Sequence, residues 1–114
     1  MTEEGLKYLS DIKKAIELIE DFTSSITNYN EYLDDKKTQS AVERQLGIIG
    51  EAVNKFDQIH PEISLKNARK IVNFRNRLIH AYDAVDSSIV WAILQRHIKP
   101  LQTEVNELIS QHDA

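Results

Sequence analysis

The chain has 114 residues and carries 18 acidic residues against 14 lysines and arginines, which gives a formal net charge of −4. That balance argues against the non-specific binding of bulk nucleic acid as a main function, although it leaves a local RNA site open. The absence of cysteine excludes disulfides and thiolate metal ligands.

The length predicts a single domain with one hydrophobic core, spanning residues 1–114. The sequence has no apolar run of about 18 residues, so no segment is expected to span a membrane. The first residues, Met1 to Gly5, lack the basic start and the apolar stretch of a signal peptide. We therefore expect a cytoplasmic protein.

Apolar residues recur at helical spacing along the whole chain, and helix-forming residue types dominate. The pattern predicts four helices, over residues 6–26, 38–58, 65–82 and 87–110, with a short helical turn at residues 31–33. Ser64 and Asp86 are the expected N-caps of the third and fourth helices. Pro100 is expected to kink or split the fourth helix, because it removes one backbone hydrogen bond. Short connections favour an all-α fold, an antiparallel bundle of four to five helices.

Two glycines, Gly47 and Gly50, lie inside the second predicted helix. A glycine in a helix interior costs about 1 kcal/mol relative to alanine, so its presence asks for a reason. The favoured interpretation is that a neighbouring helix approaches closely at these positions. A ligand contact is the alternative.

The third predicted helix holds the densest group of basic residues. Residues 63–82 contain no aspartate or glutamate, yet they hold five lysines or arginines. On a helical wheel, four of these residues share one polar face, which is expected to attract phosphate, and an RNA backbone if the protein acts on RNA: Lys66, Arg69, Lys70 and Arg77. Arg75 alone falls in the apolar arc.

Arg75 is therefore the exception on this helix. A buried arginine needs a partner, since an uncompensated buried charge costs several kcal/mol. Three arrangements stay open: the side chain reaches the edge of the core, it pairs with a carboxylate such as Glu51, or its face meets a second subunit and leaves Arg75 in an interface cleft. A straight helix separates Arg75 from His80 by about 140° around the axis and about 7.5 Å along it.

The segment Arg75-Asn76-Arg77-Leu78-Ile79-His80-Ala81-Tyr82 contains the pattern R-x4-H-x-Y, which resembles the active-site motif of the HEPN superfamily. Within that superfamily the chain resembles the HepT family of toxins. The likeness also covers residues 48–52 in the second predicted helix, residues 60–63 after it, and Val90-Trp91 with Pro100 in the last. The chain departs from the family pattern in a longer segment between residues 63 and 75, and in an alanine at position 81, where glycine is common.

This resemblance implies an all-α homodimer with a cleft at its two-fold interface, where RNA is cut without a metal or another cofactor. His80 would act on the 2′-hydroxyl or on the leaving 5′-oxygen, as suits a group that transfers protons near neutral pH. Arg75 would hold the scissile phosphate with its planar fork of donors. Asn76 would orient one of these groups. Whether the RNA is tRNA or mRNA is left open.

The resemblance also implies a protein partner, an MntA-like nucleotidyltransferase antitoxin that transfers AMP to the tyrosine of the motif, here Tyr82. The added phosphates would place negative charge beside Arg75 and keep RNA out of the cleft. As a plain core aromatic residue, Tyr82 would have no such role. The alternative function is a non-catalytic subunit that binds a nucleotide or docks a nucleotidyltransferase, and a purely structural helical dimer is a third.

Three further histidines, His60, His97 and His112, lack the spacing of a helical zinc pair and are expected at the surface rather than at a metal. Trp91 is expected in the core or at a dimer interface. The basic segment 95–99 is interpreted as a solvated helix face, with an extension of the RNA-facing surface as the alternative.

Overall fold

The computed structural model describes residues 1–80 and 85–113, apart from the side chains of Ile79 and His80. Six helices lie in these residues: α1 (Glu3–Phe22), α2 (Tyr29–Asp34), α3 (Lys36–Ile59), α4 (Arg69–His80), α5 (Ser87–Arg96) and α6 (Ile98–Asp113). This part of the chain contains no strand, so the prediction of an all-α bundle is confirmed. The short turn expected at residues 31–33 is the helix α2.

Polar side chains fix the starts of the first three helices. The side-chain oxygens of Thr2, Asn28 and Asp35 each accept a hydrogen bond from the backbone N–H three residues further on. Such caps satisfy backbone donors that have no partner within the helix. The end predicted for the first helix, residue 26, is wrong. The hydroxyls of Thr23 and Ser24 donate to the last carbonyls of α1, which therefore ends at Phe22.

Helices α1 and α3 pack antiparallel, and His60 joins the start of one to the end of the other. His60 is buried, and its Nε2 accepts a hydrogen bond from the backbone N–H of Thr2 at 3.2 Å. Its Nδ1 lies 3.0 Å from a carboxylate oxygen of Glu62. The prediction that His60 lies at the surface is therefore wrong, whereas His112 is exposed as expected.

The hydrophobic core lies where α1, α3 and α6 meet. Its fully buried members include Leu9, Ile16, Leu46, Ile49 and Phe56. The pair α1 and α6 is also antiparallel, because Glu20 near the end of α1 bonds to Lys99 and Gln102 near the start of α6. None of the helices in the described residues combines the length and the apolar composition needed to cross a membrane.

The third predicted helix begins four residues later than expected. Helix α4 starts at Arg69, so Ser64 is not its N-cap. The carboxylate of Glu104, on α6, accepts hydrogen bonds from the backbone N–H groups of Lys66 at 2.8 Å and Asn67 at 3.1 Å. It also accepts one from the side-chain amide of Asn67 at 3.2 Å. These bonds hold the chain in a turn before α4, so Lys66 lies outside the helix.

The fourth predicted helix is split, as expected from Pro100. Asp86 caps α5 by accepting the backbone N–H of Ser88 at 2.8 Å, which confirms its assignment. Helix α5 ends at Arg96 and α6 begins at Ile98, with His97 between them. Pro100 has no N–H with which to bond to the carbonyl of Arg96, so a continuous helix is not favoured here.

Trp91 on α5 packs onto the core through two tyrosines of α2. Its ring centroid lies 6.0 Å from that of Tyr29 and 5.7 Å from that of Tyr32. Tyr32 is fully buried, and its hydroxyl has no hydrogen-bond partner among the described residues. Burial raises the pKa of Tyr32 well above its ordinary value. The core alternative for Trp91 is the one observed within this chain.

Candidate functional site

Arg75 lies half-buried on α4 with no ion pair among the described residues. Glu51, the carboxylate considered as its partner, is exposed and pairs with Lys55 at 3.6 Å instead. The guanidinium group is therefore not neutralised by the described part of its own chain. An unneutralised, half-buried guanidinium is suited to hold an anion such as phosphate.

Gly50 on α3 sets the position of Arg75. A Cβ atom added to Gly50 would stand 2.6 Å from the Cβ of Arg75 and 3.0 Å from its Cγ. The backbones of α3 and α4 can approach this closely only because Gly50 has no side chain. The interpretation of Gly50 as a point of close helix approach is thus confirmed. For Gly47, no described atom outside its own stretch of helix backbone lies within 4 Å of an added Cβ, so the same interpretation finds no support there.

The remaining motif residues follow Arg75 along the chain. Asn76 is exposed on α4, and His80 is the last residue of that helix. The structure thus brings Arg75, Asn76 and the backbone of His80 onto one helix. Ideal helix geometry still places positions 75 and 80 about 140° apart around its axis. Tyr82 lies outside the described residues.

The basic residues assigned to RNA binding line two hollows that share Asn73. Lys70 and Arg77 line a cavity of about 350 Å³ between α4 and α5. Lys66 and Arg69 line a different hollow, of about 370 Å³, where the end of α3 meets the start of α4. The second hollow also contains Asp57, whose pKa is raised by burial. Lys66 departs from the predicted helical wheel because Glu104 holds its backbone in the turn before α4.

The basic segment 95–99 also divides. Arg96 and His97 line the same cavity as Lys70 and Arg77, so this part of the segment lies beside two of the basic residues of α4. His97 is half-buried there and lines the cavity. Lys99 has turned away and donates a hydrogen bond to Glu20 at 2.9 Å. That bond lowers the pKa of Glu20 below its ordinary value.

Sequence reasoning missed the residues that hold α4 and α5 in place. Besides Glu104, these include Gln39, whose buried side-chain amide donates to the carbonyls of Tyr32 and Leu33. The Gln39 oxygen also accepts a bond from Ser87 at the start of α5, at 3.4 Å. The position of Gln39 on the apolar side of the second predicted helix was the signal that could have identified it. Nothing local marked Glu104, because its partners lie 37 and 38 residues away.

Metal ligation is not indicated by the described side chains. No group of three or more histidine, aspartate or glutamate residues among them is arranged to hold a metal ion. The polar side chains that face the cavity between α4 and α5 are instead mainly donors and cations, which suit anions.

These features define an all-α protein with the HEPN fold, in which the helix of the R-x4-H motif packs across a glycine of its neighbour. The chain belongs to the family described as Ribonuclease HepT-like, whose model matches residues 12–108. The resemblance found in the sequence is thereby confirmed.

Curated relatives agree with this family. A protein of Thermococcus cleftensis named "Probable ribonuclease HepT" is 45% identical over 105 residues, covering 89% of this chain and 92% of its own. Two proteins of Methanocaldococcus jannaschii, both named "Putative RNase", are 36% and 34% identical, covering 90% and 92% of this chain and 84% and 97% of their own. No solved structure matches the chain significantly.

Proposed function

We propose that the protein is a metal-independent endoribonuclease that acts as the toxin of a HepT–MntA-type toxin–antitoxin system in the cytoplasm, with residues 1–114 as one HEPN domain. The observation that carries this proposal is the placement of Arg75. It is half-buried, without an ion pair among the described residues, against Gly50 and on the same helix as His80. The family and the ribonuclease names of the relatives support the same reading.

The chemistry follows from the residue types. The 2′-hydroxyl of the RNA gives up its proton and attacks the neighbouring phosphorus, the bond from phosphorus to the 5′-oxygen breaks, and a proton reaches that oxygen. His80 serves as the base or the acid in this transfer. Arg75 binds the phosphate oxygens, on which negative charge builds. Asn76, exposed beside Arg75, orients one of the reacting groups. The products carry a 2′,3′-cyclic phosphate and a 5′-hydroxyl.

A homodimer accounts for the number of proton-transfer groups. The reaction needs one group to remove a proton and another to deliver one, whereas the motif supplies a single histidine per chain. A two-fold interface along α4 brings a second His80 and a second Arg75 to one cleft. In such a dimer, the Arg75 and His80 that act together can come from different subunits. They then need not converge from one helix, on which about 140° separates them.

The antitoxin is a small nucleotidyltransferase that modifies Tyr82 with AMP. Each transferred phosphate adds negative charge two residues from His80, where it competes with RNA for Arg75. Intact mass spectrometry tests this step. We expect a mass gain of whole AMP units when the chain is incubated with the enzyme and ATP. No gain in the Tyr82→Phe variant is expected, and an equal gain in that variant would refute the assignment.

The cleavage itself is tested with the purified protein and either tRNA or mRNA in the presence of EDTA. We expect cleavage that leaves 2′,3′-cyclic phosphate ends and that disappears in His80→Ala while the helical circular dichroism spectrum is retained. Undiminished cleavage by His80→Ala would exclude the proposed mechanism.

The second candidate is a non-catalytic subunit that binds a nucleotide or docks a nucleotidyltransferase. The cavity lined by Lys70, Arg77 and Arg96 favours this candidate, because it offers an anion site apart from Arg75. Nucleotide binding by an intact protein that cuts neither class of RNA would support it over the nuclease.

A further inference from the structure

The cavity between α4 and α5 combines positive charge with an apolar floor. Its polar wall is formed by Lys70, Asn73 and Arg77 from α4 and by Arg96 and His97 from the end of α5. Among the described residues, no carboxylate lines it. The positive side chains therefore converge from two helices that are about 20 residues apart in sequence.

Three lysines elsewhere on the surface are neutralised by carboxylates, unlike the cations of the cavity. Lys7, Lys55 and Lys99 each pair with a carboxylate, at 3.1, 3.6 and 2.9 Å respectively. No ion pair among the described residues involves Lys70, Arg77 or Arg96. Asp86 feels the charge of Arg77, but its pKa is lowered mainly by its hydrogen bonds to Ser88 and only slightly by that charge. The cavity thus keeps its positive charge available for an anion.

The floor of the cavity is apolar. It is formed by Phe74 of α4 together with Ile89, Ala92 and Ile93 of α5. A bare inorganic anion would gain nothing from such a floor, whereas a flat heterocycle beside a phosphate would use both parts. The volume of about 350 Å³ lies at the lower end of the range for small-molecule pockets.

The cavity lies on a different side of α4 from the contact between Arg75 and Gly50. Positions 75 and 77 are about 200° apart on an ideal helix, so their side chains leave it in nearly opposite directions. Position 80 follows Arg77 by less than one helical turn, so a strand held in the cavity would pass close to the end of α4.

We propose that this cavity binds one nucleotide of a single-stranded RNA, with the phosphate held by Lys70, Arg77 and Arg96 and the base resting on Phe74, Ala92 and Ile93. The nucleotide is a neighbour of the cleaved bond, so the assignment to RNA rests on the proposed ribonuclease function. A free nucleotide would use the same contacts, and the experiment separates the two sources.

The first arm measures the binding of AMP, adenosine and inorganic phosphate to the full chain by calorimetry, with backbone amide shifts to locate the site. We expect AMP to bind more tightly than either fragment and to shift signals of residues 70–77 and 89–97. Lys70→Gln and Arg96→Gln should each weaken AMP binding about tenfold, the loss of one charge-assisted bond. Lys13→Gln is the matched control, because Lys13 is an exposed helical lysine on α1.

The second arm measures binding of a labelled single-stranded RNA to the His80→Ala chain, so that no strand is cut and the result does not depend on cleavage. We expect Arg96→Gln in that background to weaken binding about tenfold. It should also reduce the slope of log affinity against log salt by about one, whereas Lys13→Gln changes neither.

Two kinds of result would overturn the proposal, one against the nucleotide site and one against its assignment to RNA. If adenosine binds as well as AMP, or if Lys13→Gln weakens AMP binding as much as Arg96→Gln, the cavity is not a nucleotide site. If Arg96→Gln weakens AMP binding but leaves RNA binding unchanged, the assignment to RNA is wrong and the cavity serves a free nucleotide. Neither result alters the His80→Ala cleavage test, so the two proposals fail separately.

Discussion

The Cβ of Arg75 packs directly on the backbone of Gly50, at a distance that leaves no room for a methyl group on the glycine. This contact fixes the spacing between α3 and α4 at the level of the proposed catalytic arginine. It therefore links a helix-destabilising residue in one element to the position of a charged side chain in the next.

Replacing Gly50 with alanine should force α3 and α4 apart, because the new methyl would stand 2.6 Å from the Arg75 Cβ. We expect the free energy of unfolding to fall by about 1–3 kcal/mol, and RNA cleavage to fall with it. Gly47→Ala, one turn earlier, is the matched control. With no described atom outside its own stretch of helix backbone within 4 Å, it should be neutral or stabilise the helix by up to about 1 kcal/mol. Urea unfolding measures both, and equal effects would contradict the packing argument.

Glu104 should hold the start of α4 in place. Glu104→Ala removes the acceptor for two backbone N–H groups and one side-chain amide, so we expect a loss of about 1–3 kcal/mol in the free energy of unfolding. Hydrogen exchange of the amides of Lys66 and Asn67 should accelerate. Glu107→Ala changes an exposed glutamate of the same helix and should have little effect. Unchanged exchange at both amides in Glu104→Ala would rule out this role.

Part of the free energy of unfolding should depend on pH through Asp35. Its hydrogen bonds to the Thr38 hydroxyl and backbone N–H lower its pKa below the ordinary 3.8. The carboxylate therefore stabilises the fold above that ordinary value, and the contribution is lost as the pH falls through the lowered pKa. Asparagine keeps a capping oxygen without titrating. We expect Asp35→Asn to lose less stability than the wild type between neutral pH and about pH 3, as measured by urea unfolding. Asp34→Asn is the control, and an identical loss in Asp35→Asn and the wild type would contradict the assignment.

The hydroxyl of Tyr32 should be dispensable. It is fully buried, and no described residue bonds to it. A buried polar group without a partner is unfavourable, so Tyr32→Phe should leave the midpoint of thermal unfolding unchanged or raise it, by the equivalent of about 1 kcal/mol. Tyr32→Leu, which also removes the ring beside Trp91, should lower it. A clear loss of stability in Tyr32→Phe would mean that the hydroxyl has a partner.

The sequence predicted best what depends on local pattern. The helical periodicity predicted the four long helical segments. The sequence also identified Asp86 as an N-cap, and Pro100 marked the break between α5 and α6. The prediction failed where residues far apart in sequence determine the local structure. The start of α4 is set by Glu104, and the burial of His60 is set by Thr2, both far away in sequence. The helical wheel that included Lys66 was therefore wrong at that residue, because α4 begins only at Arg69.

The candidate site was only partly open to prediction for the same reason. Arg75 stood out because one charge in an apolar arc is visible in any helical projection. Gly50 was visible as a glycine in a helix interior. Its contact with Arg75 could not be predicted, because the contact depends on how α3 and α4 pack against each other. The convergence of Arg96 with Lys70 and Arg77 likewise depends on the packing of α5 against α4.

The most direct test of the account is the steady-state cleavage of RNA, in EDTA, by Arg75→Lys beside Arg77→Lys. Both variants keep the positive charge at the substituted position of α4, but only Arg75 is assigned to the reacting phosphate, where a planar fork of donors matters. We expect kcat to fall about a hundredfold in Arg75→Lys with RNA binding retained, whereas Arg77→Lys should mainly raise KM. A kcat for Arg75→Lys equal to that of the wild type would contradict the account.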